Sequence, residues 1–571
     1  MSVVQSALSA ILGVAILLAS SSPGRAQDLP PTKKLIETGW DEPDTERLLQ
    51  NLEDMEKRPF DGVVVGVAGW KEDEATPPAR KRVPLRPAFS RDPWKREWFQ
   101  KPIEDLKACK FRRFTDNFLI LGANPGNVDF FDDEGWAAIV GHWRIAAWVA
   151  KQGGLKGIVF DPETYSALHA QFHYAAQPQR EKHSFAEYCA QARERGRQVF
   201  RAVADEYPDL TLLGSFMNIA CVAAAGQSDP KPLLAIQPYG LYPAFIDGWL
   251  DAAPPKMAFV DGCENAYRYN SAERYLESAA LIRGACQTLV SPENRAKYRA
   301  QVQVGFGVYL DAYANPPTSP WLRGGLPAGR LRANVATALR VADQYVWVNG
   351  EKHRWWPTPN RSVKPESWPE ALPGCERALA FVRDPIGAAR AEIADLAKAG
   401  KLANLVHDGD FGSSELPRGG TPPQDWREGG APAGWFTWED RTSRGAFTWD
   451  RETGAHEKGS ARASGVANGS FVQSLPVRPA ETYAVRAVRR LQGKGDAWLR
   501  IRWQTADGKW AAEERDVLLS AAGPREAWGE FFGVVEVPDG VGRLLILLCV
   551  SGQPTATDVA WFDDVQLIKL E

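Results

Sequence analysis

The stretch GIVFDPETY at residues 157–165 runs from a short apolar segment directly into two carboxylates, with an aromatic residue just beyond them. In a β-strand, residues two apart point to the same side, so Asp161 and Glu163 are expected to project together at a strand end. The alternative is that Asp161 starts a turn before Pro162, as Asp often does. The rest of the chain decides how this stretch is interpreted.

Short apolar runs alternate with helical patterns from about residue 30 to residue 400, and eight of the runs have strand character. The predicted strands are Lys34–Trp40, Gly62–Val67, Phe111–Leu119, Gly157–Phe160, Leu210–Phe216, Met257–Asp261, Val302–Leu310 and Tyr345–Val348. The connections are long enough for crossover helices, one of which begins at a capping box, Ser184 to Glu187. This alternation predicts an α/β fold, a (β/α)8 TIM barrel. A doubly wound open sheet is the alternative, but no glycine-rich dinucleotide loop follows the first strands.

Acidic residues stand at the ends of six of the predicted strands, and in a TIM barrel the chemistry is located at that rim. They stand in Asp41-Glu42, Asp116-Asn117, Asp161-Pro162-Glu163, Asp261 to Glu264, Asp311 and Glu351. Some such residues cap the following helix, as Asp44 is expected to do. Six acids on one rim nevertheless favour glycoside hydrolysis, in which one carboxyl group protonates the leaving oxygen and another stabilises positive charge.

Glu163 is the predicted general acid/base. A neighbouring Asp161 disfavours ionisation of Glu163, which suits an acid near neutral pH. The opposing carboxylate is Asp311, Glu264 or Glu351, and the sequence does not rank them. A separation of about 5–5.5 Å from Glu163 would indicate a retaining pair and about 6.5–9.5 Å an inverting pair.

Aromatic residues are abundant, with 22 Trp in the chain. Most Trp side chains are expected in the core, but exposed rings provide flat platforms for sugars. The residues predicted to line the sugar subsites are Trp40, Asp116, Asn117, Tyr165, Tyr309, Trp347 and Trp355.

Residues 402–571 differ in sequence pattern from the barrel segment. Short runs of alternating apolar and polar residues, many glycines and weak helix signals predict an all-β sandwich. The segment opens with Asn404-Leu405-Val406 and Gly409-Asp410-Phe411, and it closes with Trp561-Phe562-Asp563-Asp564-Val565. These two ends resemble carbohydrate-binding jelly rolls of the CenC type. The resemblance implies either glycan binding, with platforms at Trp435, Trp438 and Trp449, or a structural companion of the barrel.

The end of the fourth strand is similar to that of chitinase-type barrels, which carry an Asp-x-Asp-x-Glu run there. Asp161 and Glu163 match the last two acids, and Val159 replaces the first. The resemblance implies that Glu163 is the proton donor with Asp161 as its electrostatic partner, and that Tyr309 and Trp347 correspond to that group's Tyr and barrel-closing Trp. The missing first Asp leaves substrate-assisted hydrolysis of an acetamido sugar without support.

Composition limits the other classes of function. The 571 residues carry a net charge of only −3 and no basic run, so no nucleic-acid partner is expected. No obligate protein partner, cofactor or metal is predicted; His169 and His173 stand four apart, but no Glu follows His169 as a zincin motif requires. The seven widely spaced Cys suggest no disulfide framework, and buried free thiols are expected for most.

Residues 1–26 are predicted to be a signal peptide, because an apolar run at residues 10–19 precedes small residues and a cleavage point near Ala26. No later apolar segment is long enough to span a bilayer. The predicted organisation is therefore a signal peptide, a barrel at residues 30–400 and a sandwich at 402–571, in a periplasmic or secreted protein without a membrane partner after cleavage.

The sequence thus predicts a secreted glycoside hydrolase acting on a poly- or oligosaccharide. A non-catalytic glycan-binding protein with a degenerate barrel is the alternative, and it predicts that Glu163 lies far from every other rim acid. A polysaccharide lyase is a third hypothesis, since His173 and Tyr174 could supply a base.

Overall fold

The computed structural model describes residues 33–73, 79–126, 128–163, 165, 170–314, 327–356, 364–412, 434–441, 443–479 and 481–570. The predicted signal peptide and His169 lie outside these residues. The chain forms two compact units, and the boundary between them falls between Asp384 and Pro385. The helix Pro385–Lys398, which the sequence placed with the barrel, therefore belongs to the C-terminal unit, where Arg390 stacks on Phe532 and pairs with Glu530.

The first unit is built on a ring of parallel strands with helices outside it, which confirms the predicted barrel. The strands are β1 (Lys34–Gly39), β2 (Gly62–Val65), β3 (Phe118–Pro125), β4 (Gly157–Asp161), β5 (Thr211–Gly214), β6 (Ala258–Asp261), β7 (Val302–Val304 and Phe306–Tyr309) and β8 (Tyr345–Gly350). Neighbours in the chain pair in parallel from β1 to β6, and β8 pairs with β1. The strand β7 connects the two ends of this row.

Closure of the ring depends on Gly305, which divides β7 into two parts. The part before Gly305 pairs with β6, and the part after it pairs with β8. The Gly305 N–H continues the first ladder by donating to the Asp261 carbonyl at 2.8 Å. A Cβ at Gly305 would lie 2.7 Å from the Val260 side chain, so the backbone passes between the two neighbouring strands only because this residue lacks one.

The third strand begins later than the sequence indicated, and this moves two predicted site residues. The run predicted at Phe111–Leu119 is a bend, and the strand starts only at Phe118. Asp116 and Asn117 therefore precede the strand instead of following it, at the opposite end of the barrel from the rim. The apolar residues of the bend, such as the buried Phe114, misled the prediction because they pack into the core without forming a strand.

Alternation along the strands divides the barrel core into an inner and an outer layer. The inner cluster contains Ile36, Val64, Phe118, Ile120, Val159, Leu213, Val260, Tyr345 and Trp347. The opposite faces of the strands join the larger cluster under the helices, where Leu35, Val65 and Phe160 lie. The lumen is filled by side chains, so a ligand has access only at the rim.

The helices of the barrel unit connect and surround the strands. The longer ones are Thr45–Met55, Gln100–Ala108, Asp133–Gln152, Phe185–Glu206, Tyr242–Ala252, Ala272–Arg283, Arg295–Gln301, Pro327–Val341 and Cys375–Arg383. The predicted capping box is confirmed, since Ser184 and Glu187 exchange hydrogen bonds at the start of the fourth of these. Asp44 accepts from the Arg47 N–H and caps the first helix, as predicted.

An antiparallel hairpin, Ala68–Asp73 with Ala79–Pro84, is inserted between β2 and β3. A short strand, Pro87–Phe89, follows it and pairs with β3. The hairpin leaves β2 at its carboxyl end, so it rises from the rim at which the acids are located.

The second unit contains two five-stranded antiparallel sheets, which confirms the predicted sandwich. One sheet has the order Phe436–Glu439, Asn468–Pro476, Arg543–Ser551, Asp496–Gln504, Val517–Leu519. The other has the order Ala446–Asp450, Ser460–Ser464, Val559–Leu570, Thr482–Gln492, Gly529–Glu536. Their facing sides share one apolar cluster.

The two ends of the jelly-roll-like signature lie side by side. The Asn404 side chain donates to the Val565 carbonyl at 3.0 Å and accepts the Leu567 N–H at 3.0 Å. The Val565 N–H donates to the Gly409 carbonyl at 2.8 Å. The opening and closing motifs therefore stabilise each other by joining the start of the unit to its last strand.

All seven Cys are unpaired, and six of them are buried. None of the helices in the described part of the chain has the length and apolar character needed to cross a bilayer.

Two helices of the barrel unit pack with their backbones in contact. A Cβ at Gly248 would lie 2.0 Å from the Arg193 carbonyl oxygen, and one at Gly196 would lie 2.0 Å from that of Phe245. These glycines stand on Tyr242–Ala252 and Phe185–Glu206, so each helix provides a notch for the other.

Gly248→Ala is therefore expected to lower the free energy of unfolding by about 1–3 kcal/mol, because the methyl group forces the two helices apart. Gly141→Ala is the matched control, since nothing lies within 4 Å of its Cβ position in another long helix. That variant is expected to gain about 0.5–1 kcal/mol from helix propensity. Urea unfolding of both variants checks this, and equal effects would contradict the close packing.

Candidate active site

Three glutamates meet at the carboxyl-terminal rim of the barrel. Glu163 stands two residues after β4, Glu264 opens the short helix Glu264–Arg268 after β6, and Glu351 directly follows β8. All three side chains are half-buried. Strands at different places in the ring thus direct one carboxyl group each towards the barrel mouth.

The pKa values of two of these groups are raised. Burial, followed by the charges of Glu163, Asp161 and Glu351, raises the pKa of Glu264 to about 8. Burial and Asp161 raise the pKa of Glu163, with a smaller contribution from Glu351. The neighbouring acids thus disfavour the negative charge of Glu163 and of Glu264, as expected for carboxyl groups that share one site. The alternative in which Glu163 is remote from the other rim acids is therefore not supported.

Asp161 is held in place by three donors. Its Oδ1 accepts the Glu163 N–H at 3.0 Å, while its Oδ2 accepts the Tyr165 hydroxyl at 2.6 Å and lies 3.4 Å from Arg86 Nη2. The bond to Glu163 is the turn that the sequence offered as an alternative. The turn and the pairing of acids are thus one arrangement, because the turn places Glu163 beside Asp161.

Arg86 is a site residue that the sequence analysis missed. It follows the inserted hairpin, and its guanidinium lies 3.4 Å from Asp161 and 3.4 Å from Glu42. Burial and the charge of Asp161 raise the pKa of Glu42, and the positive charge of Arg86 lowers it. Glu42 Oε2 is buried and has no hydrogen-bond partner in the described part of the chain. No sequence motif marks Arg86, since only the fold brings it to the rim.

Asn124, near the end of β3, was also missed. Its side chain donates to the Glu163 carbonyl at 2.9 Å and accepts the Tyr165 N–H at 3.5 Å. It therefore fixes the backbone on which Glu163 is mounted. Its position at a strand end was a usable signal, but the late start of β3 concealed it.

Three aromatic rings form the floor of the site. Tyr267 stacks on Tyr309 with ring centroids 5.0 Å apart, and its centroid lies 5.2 Å from that of Trp347. The Trp347 N–H donates to the Gly262 carbonyl at 2.8 Å, which fixes its ring inside the barrel mouth. The Tyr309 hydroxyl donates to Glu351 at 3.0 Å. Tyr309 and Trp347 were predicted site residues, whereas Tyr267 was not.

Asp311 is committed to the local backbone. It is almost fully buried, its Oδ2 accepts the Glu351 N–H at 2.8 Å, and Lys352 Nζ lies 3.8 Å from its Oδ1. Burial raises its pKa, and the groups that oppose this are on the loop after β8. Asp311 thus orients Glu351, and the charges that raise the pKa of Glu163 come from Asp161 and Glu351 instead.

Two further rim acids have structural partners. Asp41 pairs with Arg47 at 2.7 Å and accepts the Trp355 N–H at 3.2 Å; burial raises its pKa to about 6. The fully buried Asp261 accepts the N–H groups of Met217 and Ile219, both at 3.0 Å. It thus ties the loop after β5 to the end of β6.

The predicted sugar platforms differ in exposure. Trp40 and Tyr165 are exposed at the rim, at 53% and 62%. The prediction for Trp355 is wrong, because its ring is 1% exposed and packs edge-on against Phe60. An aromatic residue in a rim loop need not face solvent, and the sequence does not show which way it turns.

The predictions for Asp116 and Asn117 are also wrong. Asp116 accepts the Tyr345 hydroxyl at 2.7 Å and pairs with Lys34 at 3.6 Å, at the first residues of β8 and β1. Asn117 accepts the Val63 N–H at 3.1 Å. Both side chains stabilise the end of the barrel opposite the glutamates.

The three Trp residues predicted as sugar platforms in the sandwich also differ in exposure. Trp435 is fully buried, so the structure excludes it as a binding surface. Trp449 is half-buried with Arg451 over its ring at 4.4 Å, and Trp438 is exposed on an edge strand. Only Trp438 has the openness that the prediction requires.

No group of three or more His, Cys, Asp or Glu side chains with metal-binding geometry occurs among the described residues.

No family model and no curated protein matches the chain. Similar solved structures include the enzymatically active domain of tailspike protein 4 of bacteriophage CBA120, at 15% identity and a TM-score of 0.22 over 29% of this chain; the chain spans 21% of that structure. The xylan-binding CBM22-1 domain of Paenibacillus barcinonensis Xyn10C has 17% identity and a TM-score of 0.20. The match covers 25% of this chain and 90% of that domain. An arabinose-bound MgGH51 α-L-arabinofuranosidase has 15% identity and a TM-score of 0.19. The match covers 24% of this chain and 23% of that structure. Similarities of this extent define neither a family nor an activity.

The raised pKa of Glu264 predicts a stability that depends on pH. Its folded pKa of about 8 lies above the ordinary value of 4.5, so the folded state retains a proton that the unfolded chain releases. This contribution is complete below pH 4.5 and is lost as the pH rises through 8. Glu264→Gln, which stays neutral, should therefore be more stable than the parent protein by an amount that grows between these values.

Urea unfolding at several pH values from 5 to 8.5 measures this difference. Glu277→Gln, at an exposed helix position, is the control and should show no such trend. If the free energy of unfolding of Glu264→Gln changed with pH in the same way as that of the parent protein, the raised pKa of Glu264 would be contradicted.

Proposed function

We propose that the protein hydrolyses glycosidic bonds in a poly- or oligosaccharide, with Glu163 as the general acid/base. The observation that carries the proposal is the convergence of Glu163, Glu264 and Glu351 at one rim, where neighbouring acids raise the pKa values of Glu163 and Glu264, above a floor of aromatic rings. Glycoside hydrolysis needs a carboxyl group that keeps its proton near neutral pH beside one that is ionised.

Burial and the neighbouring Asp161 raise the pKa of Glu163 and so favour its protonated form. This form can donate its proton to the leaving oxygen, and the resulting carboxylate can accept one from water. Asp161 supports this role from a fixed position, since Tyr165 and Arg86 hold its Oδ2.

Glu351 is the opposing carboxylate in this proposal. Asp311 has one oxygen bound by the backbone of the loop after β8, and burial and neighbouring acids favour the protonated form of Glu264 by raising its pKa to about 8. A protonated carboxyl group is neither a nucleophile nor a base. Glu351 instead receives the Tyr309 hydroxyl, which orients its Oε2 towards the aromatic floor.

The substrate class follows from the floor and the rim together. Exposed rings at Trp40 and Tyr165 offer stacking surfaces, and the carboxyl groups offer acceptors for hydroxyl donors. Export through the predicted signal peptide would place the enzyme where extracellular polysaccharides occur.

Glu163→Gln is expected to lower the rate of hydrolysis by about 10²–10⁴-fold while leaving binding of the same glycan intact, because the amide cannot transfer the proton. Release of reducing ends from a panel of polysaccharides measures the rate, and calorimetry measures binding. Glu351→Gln should lose hydrolysis as well, whereas Glu277→Gln should not. Binding without hydrolysis by the parent protein on every glycan would instead favour the non-catalytic alternative.

A further inference from the structure

A second groove lies on the same rim, outside the barrel mouth. It has a volume of about 1100 Å³ and lies between the inserted hairpin, the first turn of Thr45–Met55 and residues 95–105. Both flanking helices follow barrel strands, so their first turns are at the carboxyl-terminal rim, from which the hairpin also rises. None of the acids of the candidate active site lines this groove.

The groove contains an aromatic ring that the core does not use. Trp70, on the first hairpin strand, is 45% exposed, and its cross-strand partner is Arg82. Trp98 lines the groove too, with Lys71 Nζ 5.6 Å from the centre of its ring. An exposed indole beside a second ring offers a flat apolar surface on which a ligand can stack. Beside polar groups it suits a ligand with both C–H faces and hydroxyl groups.

The charges in the groove nearly cancel. Six carboxylate and five cationic side chains line it, and several pair with each other, as Arg82 does with Asp44 at 3.4 Å. A nucleic acid or an acidic polysaccharide would require a net positive surface. A nearly neutral wall of donors and acceptors beside an indole instead fits a neutral chain rich in hydroxyl groups.

The groove is formed before any ligand arrives. A Cβ at Gly69 would lie 2.5 Å from the Trp98 carbonyl oxygen and 2.8 Å from the Phe99 ring, so the hairpin lies directly on the segment Arg96–Phe99. This contact sets the position of Trp70 relative to Trp98. A preformed site avoids the entropic cost of ordering loops on binding.

The groove and the candidate active site share one segment of chain. The second hairpin strand ends at Pro84, and Arg86, two residues further on, reaches Asp161 and Glu42. Arg86 therefore connects the hairpin that carries Trp70 to the acids of the candidate active site.

We infer that the Trp70 groove is a second glycan-binding site, which holds a neutral polysaccharide outside the barrel mouth. The inference rests on the proposed function for the class of its ligand. It assigns to the hairpin the retention of long chains and leaves bond cleavage to the glutamates.

The test uses the full chain carrying Glu163→Gln, so that no polymer is cleaved during the measurement. Hydrogen–deuterium exchange is followed with and without soluble xylan, galactan and β-glucan. Slower exchange is expected at residues 68–73, 80–84 and 95–105 with at least one of these polymers. Adding Trp70→Ala should abolish this protection, and Ile236→Ala, at an apolar side chain that is 71% exposed, should preserve it.

Gly69→Ala provides a second variant, because its methyl group displaces the hairpin and should also abolish the protection. Protection that persists in Trp70→Ala, or that none of the three polymers produces, overturns the inference. The proposed function is tested separately, by measuring hydrolysis of a short oligosaccharide by the protein with Glu163 restored. Loss of protection in Trp70→Ala without hydrolysis by that protein would leave the groove standing and the proposed function refuted.

Discussion

Backbone hydrogen bonding around the closed ring of parallel strands is the constraint on which the rest of the structure depends. Every barrel strand has to satisfy its N–H and C=O groups on both sides, and β7 does so only by changing partners at Gly305. Closure brings the carboxyl ends of β4, β6 and β8 to one rim, although Glu163 and Glu351 are separated by nearly two hundred residues. The convergence of the glutamates is a consequence of the ring.

Burial at the rim differentiates acids that look alike in the sequence. Asp261 gives both of its oxygens to backbone N–H groups, Asp311 gives one, and both residues serve as internal ties between loops. Asp161 is held by a tyrosine, a backbone amide and an arginine. Burial and neighbouring acids instead raise the pKa values of Glu163 and Glu264. The surroundings of each carboxyl group thus differ although the acids look alike in the sequence.

The sequence was informative where a strand and its acid are adjacent in the chain. Apolar runs located seven of the eight strands, and the residues after β4, β6 and β8 identified Glu163, Glu264 and Glu351. It failed where tertiary packing decides. Phe114 looked like part of a strand but packs into the core from a bend, which placed Asp116 at the wrong end of the barrel. Trp355 looked like a platform but turns inwards, and Arg86 and Tyr267 reach the site through folds of the chain that no local pattern encodes.

The two contacts of Arg86 connect the inserted hairpin to the acidic rim of the barrel. The same insertion displays Trp70 at the surface and supplies, just beyond its second strand, the positive charge between Glu42 and Asp161. Exchange of this insertion between related barrels, by recombination or by loop grafting, would therefore alter two properties at once. A replacement that displaces Arg86 would change the proton affinity of Glu42, whose pKa Arg86 lowers. The exposed aromatic surface of the hairpin and the charge balance of the rim are therefore inherited together in this architecture.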